Sequence, residues 1–431
     1  MQNFSKLTAR ACALSSALCI PAVSFGAANL DVTVGADLEL HDNAALTSSD
    51  KKSDLDRVAR ARVDFNDPDG ALLTKLGYTI ERHDYLRDIE PDRTVLDGAS
   101  QLTWLALPRL LDFTISHQVS DQLQDRRAAD VTSNQERRSI LGASSNLYGH
   151  LSRVDTLILT PRITEVNLQR TNGSDSRHTA ADLSWQHGTS AVSSFVLTGT
   201  REAVRFDDSI NDYDTSRAML SYKTKLSHLS YQVGGGYNRI KRDTGKDVNG
   251  FSAQIAADYT ELSYSWGGSV VRQLTDSAIG LASVEQTITG FHGTDGNVDQ
   301  FDIVESTQAD LHGQRQLGAS STINASIGYV KQDYQTLPRD ENSYLASLGY
   351  AYTINPAWSV TVQGSYERSR FPNAVNDLVY NDKQIDVFMN YRHSQRLSAR
   401  FGIGRKERDA NVSTGDYTDN FALMSVNFLI Y

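Results

Sequence analysis

Ten histidines and 52 acidic residues are the groups in this 431-residue chain with which chemistry could be done. Their spacing sets what that chemistry could be. His41, His83, His117, His150, His178, His187, His228, His292, His312 and His393 stand singly, and no two occupy ligand spacing within one segment. A metal centre needs three or four convergent ligands, so these read as scattered interface or loop histidines. A hydrolase or nucleotide-dependent enzyme would be signalled by GxSxG, HExxH, GxGxxG, or GxxxxGK followed by Ser or Thr. None of these occurs. The chain is expected to be no enzyme and to carry no metal and no cofactor.

The acidic run Asp207, Asp208, Asn211, Asp212 and Asp214 has oxygen ligands enough for calcium. It lacks the Gly and the closing Glu of a calcium loop and reads as a solvated acidic loop, with divalent-ion bridging to surface sugar or lipid phosphate as the alternative. Gly234, Gly235 and Gly236 lie in a strand-like segment with no helix after them; this suits relief of crowding or a bend in a wall rather than phosphate binding. Asn172-Gly173-Ser174 reads as a turn.

What must position these residues is a succession of short segments that alternate apolar and polar side chains, as in LDVTVGADLEL (Leu30 to Leu40) and WSVTVQGSY (Trp358 to Tyr366). The chain is only 39% hydrophobic, yet it holds 29 Gly, 19 Tyr and 14 Phe. Long helical patterns and continuous apolar core strands are absent. Before the first segment, Lys6 and Arg10 precede an apolar run from Ala11 to Val23 and the small residues Ser24 to Ala28. This is the pattern of a secretory signal peptide over 1–28, cleaved after about 26–28 by a Sec-type route. Cys12 and Cys19 both fall inside it, so the mature chain (29–431) is expected to have no thiol and no disulfide. Taking Lys6 and Arg10 from the 42 basic residues leaves 40 against 52 acidic ones, a formal charge of −12 that disfavours nucleic acid.

Strand-like segments are expected at 30–40, 55–66, 72–84, 95–107, 110–121, 138–150, 154–168, 177–187, 190–206, 214–226, 229–241, 248–260, 262–274, 298–313, 319–333, 340–353, 357–370, 380–392, 396–408 and 417–431. Each is about the length that a tilted strand needs to cross a bilayer. Long polar connections such as DQLQDRRAADVTSNQE alternate with tight turns such as DPDG, LP, LSHL and INPA. That alternation is what an up-and-down barrel gives when one rim faces the cell exterior and the other the periplasm. One side of the segments is apolar (Leu220, Tyr222; Val233, Tyr237; Leu348, Tyr350; Phe401, Ile403), with aromatics toward the ends, and the other is polar. Backbone groups cannot go unpaired in lipid, so such a sheet has to close on itself. The expected fold is therefore all-β: a closed antiparallel transmembrane barrel of about 18–20 strands, without a plug domain. In VDTLILTPRITEVNLQR the apolar residues change sides around Pro161, which suggests a bulge or an unpaired position.

Projected inward, the polar side places Arg60, Arg62, Lys223, Lys225 and Arg400 beside Asp258, Asp302, Asp310 and Asp386, with Gln101, Gln232, Gln254, Gln308, Gln363 and Asn390 among them. Mixed charge with many amides suits hydrated, hydroxyl-rich solutes, or equally an inner wall whose charges merely pair. The longest connection, 275–297, contains Ile279, Gly280, Leu281 and, beyond them, Phe291; it is the candidate for a constriction folded into the bore.

The chain ends NFALMSVNFLIY. This resembles the C-terminal strand signature of bacterial outer-membrane barrels, which implies that Phe428 and Tyr431 serve as a signal to the barrel-assembly machinery. The alternation is offset: Leu429 and Leu423 fit it, Asn427 and Ser425 do not, while Met424, Val426, Phe428 and Ile430 form an apolar set between them. Across nearly the whole mature chain, ADLELHDNAAL, ERRSILGASSNLYGHLSRVDTLILTPRITEVNLQR and LGYAYTINPAWSVTVQGSYERSRF resemble outer-membrane β-barrel porins encoded with exopolysaccharide or capsule export systems in Gram-negative bacteria. The resemblance implies residence among outer-membrane lipid, a polysaccharide or oligosaccharide cargo and periplasmic export partners. A sugar-uptake porin and a structural or adhesive surface barrel are the alternatives; an outer-membrane hydrolase has the least support.

Overall fold

The computed structural model describes residues 28–169, 175–277, 301–372, 377–412 and 415–431. The leader, both cysteines, His292, Asn172 to Ser174 and the constriction candidates Ile279, Gly280, Leu281 and Phe291 lie outside the described residues.

Twenty strands follow one another: β1 (Asn29–His41), β2 (Asp54–Asp67), β3 (Leu72–Tyr85), β4 (Arg93–Leu107), β5 (Leu111–Leu123), β6 (Gln135–His150), β7 (Asp155–Leu168), β8 (Ser176–Gly188), β9 (Ser193–Phe206) and β10 (Tyr213–Lys225) make the first half. The second half is β11 (Leu229–Arg242), β12 (Val248–Thr260), β13 (Tyr264–Asp276), β14 (Ile303–Gln316), β15 (Ser321–Tyr334), β16 (Glu341–Asn355), β17 (Trp358–Phe371), β18 (Leu378–Arg392), β19 (Leu397–Ala410) and β20 (Tyr417–Leu429). Each pairs antiparallel with its sequence neighbours, and β1 closes on β20 from Thr33 opposite Leu429 to His41 opposite Phe421. Closure leaves no unpaired edge, the condition a strand-built span must meet in lipid. The expectation of a closed antiparallel barrel is met, and among the described residues no separate domain occupies the bore.

Residues directly opposite in adjacent strands share a face, so the register sorts every side chain. Val34 faces Phe428 and Ala61 on the outside, while Asp37 and Ser425 share the inside. On β20 the outward set is Met424, Val426 and Phe428, which explains the offset at the chain end: Tyr431 lies beyond the strand, where its carbonyl accepts from Val32 N–H at 3.0 Å. The outer aromatics meet across strands near the short-turn rim, as Trp104 with Phe113 (5.7 Å), Phe195 with Tyr222 (4.9 Å) and Trp358 with Tyr391 (4.5 Å). A second level lies toward the long loops, with Tyr329 and Tyr344 5.0 Å apart. Between them the outward residues are apolar and exposed, among them Leu197, Leu220, Val233 and Ile255. Only hydrocarbon covers such a band without cost. A strand of 14 residues at about 3.3 Å per residue and about 40° of tilt rises roughly 35 Å, against an apolar band of about 25 Å. The wall therefore continues past the lipid.

The structure places Pro161 and the glycine triplet. Of the bulge or unpaired position expected at Pro161, the second is found: Ser144 opposite Arg162 and Leu147 opposite Leu159 keep one register, with the rungs between them missing because proline has no N–H to give. Its neighbours change sides because the upper end of β7 turns Val166 and Leu168 inward into buried positions. Gly234 and Gly236 face the bore beneath Met219, whose Sδ-methyl end would meet a Cβ on Gly234 at 2.8 Å, so the triplet makes room as expected.

Candidate functional site in the barrel lumen

The β5–β6 connection, residues 124–134, folds inward as a stapled unit. Asn134 accepts from the Asp125 N–H at 3.0 Å and donates to the carbonyls of Asp125 (2.8 Å) and Ala129 (3.0 Å). Arg127 closes on Asp125 with its backbone N–H and Nε, both at 2.9 Å, and its Nη2 at 2.7 Å. Burial alone would raise the Asp125 carboxyl, but these donors and the Arg127 charge override it and hold its pKa below the ordinary value. Gln124 donates to Glu136 at 2.8 Å and the Thr132 N–H to Glu90 at 3.0 Å, which ties the loop to its own wall.

The loop then reaches the opposite wall. Strands β6 and β16 are ten apart around a ring of twenty, yet Arg126 Nη2 lies 3.1 Å from Glu341 Oε1 on β16 and 2.9 Å from Glu367 Oε1 on β17. Glu341 is fully enclosed and accepts from Ser343 Oγ at 2.5 Å; Glu367 accepts from Ser369 at 3.0 Å. Nearby on β19, Arg408 grips Asp382 with Nε (2.6 Å) and Nη2 (3.0 Å), lies over the rings of Tyr380 and Tyr417, and donates to the Ala128 carbonyl at 3.2 Å. A charged crosspiece thus spans the bore.

Toward the short-turn rim, a recess of about 590 Å³ opens on the wall of β8–β14, its amide and charged side chains set among Ala191, Val192, Ala256 and Val271. It gathers Lys223, Lys225, Asp258, Asp310, Gln232, Gln254 and Gln308 into one place. Gln232 donates to Gln254 at 3.1 Å and Ser269 Oγ donates to Asp310. The other expected inward residues lie elsewhere. Arg60 is held between Asp37 (2.8 Å) and Glu81 (2.5 Å), and Arg62 pairs with Asp64 at 2.5 Å. Asp386 accepts from Gln363 (3.2 Å) and Gln384 (2.8 Å), while Arg400 lies 3.9 Å over the Phe388 ring. Asp302 departs from its expected place: it precedes β14, is fully buried, and accepts from the N–H groups of Thr336 (2.7 Å) and Leu337 (2.9 Å). It shapes the β15–β16 loop instead of lining the bore, because strand parity does not extend to a residue outside the strand.

Sequence reasoning missed Arg126, Glu341, Glu367 and Arg408. The local signals were the adjacent arginines in DQLQDRRAAD and the Glu-x-Ser spacing of Glu341/Ser343 and Glu367/Ser369. It also missed inward acid-x-His pairs. His41 lies 2.7 Å from Asp419 and 3.5 Å from Glu39; His83 lies 2.7 Å from Asp56 and 3.5 Å from Glu81; His312 lies 3.1 Å from Asp310. These histidines are wall pins, a correction to their reading as interface or loop residues. Among the described residues no group of three or more His, Cys, Asp or Glu could hold a metal.

One polar chain lies on the outside. Tyr78 Oη is 2.6 Å from His117 Nδ1, and His117 Nε2 is 3.0 Å from Ser139 Oγ. The spacing is that of orienter, base and nucleophile, yet Ser139 sits in continuous ladders with β5 and β7. Its surrounding N–H groups are therefore spent on the sheet and not available as an oxyanion site.

No family model matches the chain, and no curated protein is significantly similar to it. Among solved structures it is similar to the FrpB iron transporter from Neisseria meningitidis, with 10% identity over 93% of this chain and 81% of that one, and a TM-score of 0.47. It is also similar to Pseudomonas aeruginosa OccK2 in complex with glucuronate, with 10% identity, 94% and 99% coverage, and a TM-score of 0.40. A loop-deletion mutant of OmpT, an outer membrane protein of Vibrio cholerae, gives 13% identity, 94% and 99% coverage, and a TM-score of 0.35.

Proposed function

We propose that this barrel is a passive channel of the Gram-negative outer membrane for hydrated, hydroxyl-rich solutes, with the β5–β6 loop as its size filter. The observation that carries this reading is Arg126 spanning the bore to Glu341 and Glu367 at the long-loop end, with a recess toward the short-turn rim in which amides outnumber unpaired charges. A solute squeezed past the crosspiece exchanges its hydration for Gln, Ser, Lys and Asp groups of both signs, which suits sugar hydroxyls better than one type of ion. Exopolysaccharide or its fragments is the cargo that the porin-like segments imply, delivered by periplasmic export partners. The crosspiece favours a second reading, uptake of short saccharides, because a bridged bore admits a short chain more easily than a thick polymer.

The test is single-channel conductance of the refolded protein in planar bilayers with oligosaccharides of graded length, for wild type and Arg126→Ala. The expected result is an open channel blocked in a length-dependent way, with the variant conducting more and blocked less. A wild-type protein that does not conduct would overturn the channel reading and favour a structural or adhesive surface barrel.

A further inference from the structure

We infer that the outer face of β9–β11, just beyond the apolar band at the long-loop end, is a seat for the phosphate group of a lipid in the leaflet on that side. This rests on the barrel's placement in a membrane and not on its channel activity. The register sets Arg201, Ser216 and Arg239 in one outward row across the three strands, with Asp214 and Lys241 opposite each other in the next row toward the loops. At about 4.8 Å between strands, Arg201 and Arg239 stand roughly 10 Å apart with the Ser216 hydroxyl between them, a span that a phosphate with its first sugar or glycerol unit would fill.

The charges are available. The Arg201 side chain is 77% exposed and reaches Asp214 only at 3.8 Å; Arg239 pairs with Asp247 at 2.9 Å yet remains 59% exposed. Among the described residues Lys241 makes no ion pair or side-chain hydrogen bond. Directly beneath lies the row Gly199, Ala218 and Tyr237, then Leu197, Leu220 and Gly235. Gly199 has open space where a side chain would stand, so an acyl chain can lie along this shallow trough with its headgroup at the arginines. The same strands end at the opposite rim in Phe195, Tyr222, Thr224, Leu229 and Tyr231, without a charge facing outward. On these three strands cations therefore mark one membrane boundary and not the other, in a chain whose formal charge is −10. An anionic headgroup is the partner that complements them, and the acyl trough selects a lipid over free phosphate.

The experiment is native mass spectrometry of the full refolded chain released from phosphatidylcholine nanodiscs doped with diphosphorylated lipid A. Wild type is expected to retain one lipid A, and Arg201→Gln with Arg239→Gln to retain at least tenfold less, while Arg315→Gln at the opposite rim retains as much as wild type. Equal retention by the double variant would overturn the seat. A second measurement needs no variant: if wild type retains a phosphate-free glycolipid with the same acyl chains equally well, or loses lipid A to inorganic phosphate, the lipid-phosphate assignment fails.

Discussion

Arg126 and Glu341 stand 3.1 Å apart although they belong to opposite walls of the barrel. Glu341 is fully enclosed, and the guanidinium is what makes a buried carboxylate tolerable there. Removing one partner of such a pair costs about 3–5 kcal/mol, because the other charge is left buried. A single side chain thus couples the loop to the far side of the bore.

Releasing that coupling from the wall side, with Glu341→Gln and Glu367→Gln together, is expected to free residues 124–134. Trypsin should then cut at Arg126 or Arg127 faster than in wild type, and single-channel conductance should rise. Unchanged cleavage and conductance would mean that the Arg408 contact to the Ala128 carbonyl holds the loop by itself.

The staple at the loop's base has a pH dependence of known sign. The Asp125 carboxyl is held below its ordinary value by Arg127, so its contribution is full above the unfolded value of about 3.9 and fades as pH falls through the lowered folded value. Pepsin cleavage of the loop should stay slow down to about pH 4 and accelerate only below it. Asp125→Asn should be cleaved quickly at every pH where pepsin works.

Ion selectivity should follow the recess. Lys223 and Lys225 share it with Asp258 and Asp310, so Lys223→Glu with Lys225→Glu should move the reversal potential in a salt gradient toward cation preference. Asp258→Asn with Asp310→Asn should move it the other way. No shift in either variant would place the ion path away from this wall.

The outward Tyr78–His117–Ser139 chain is expected to support packing and not hydrolysis. Tyr78→Phe should destabilise the barrel by about 1 kcal/mol in urea unfolding from lipid vesicles, the ordinary worth of one hydrogen bond. Ser139→Ala should leave acyl-ester hydrolysis at the level of empty vesicles, as should wild type. Hydrolysis by wild type that Ser139→Ala abolishes would contradict this and make the chain an enzyme.

Gly98 takes φ +155°, and a Cβ there would meet the Gly77 carbonyl oxygen first, then Tyr78 Cδ1 at 2.6 Å and Tyr78 Cα at 2.7 Å. Gly98→Ala should therefore cost about 1–3 kcal/mol in the same unfolding assay, and a loss near zero would show that the backbone of Gly77 and Tyr78 shifts freely to admit the methyl group.

The barrel itself was legible in the sequence, because a strand between lipid and water writes its geometry into every second residue. All twenty segments appear, and the inward parity of Arg60, Lys223, Asp258, Asp386 and Arg400 follows from the same period of two. The long and short connections likewise marked the two rims, since each has its own solvent and its own turn chemistry. What fills the bore could not be read this way. Loop residues have no period, so nothing local announces that Arg126 crosses to Glu341, or that Asp302, one step outside its strand, turns into a loop instead of the lumen. Only closure of the ring decided which walls face each other, and with that which charges meet.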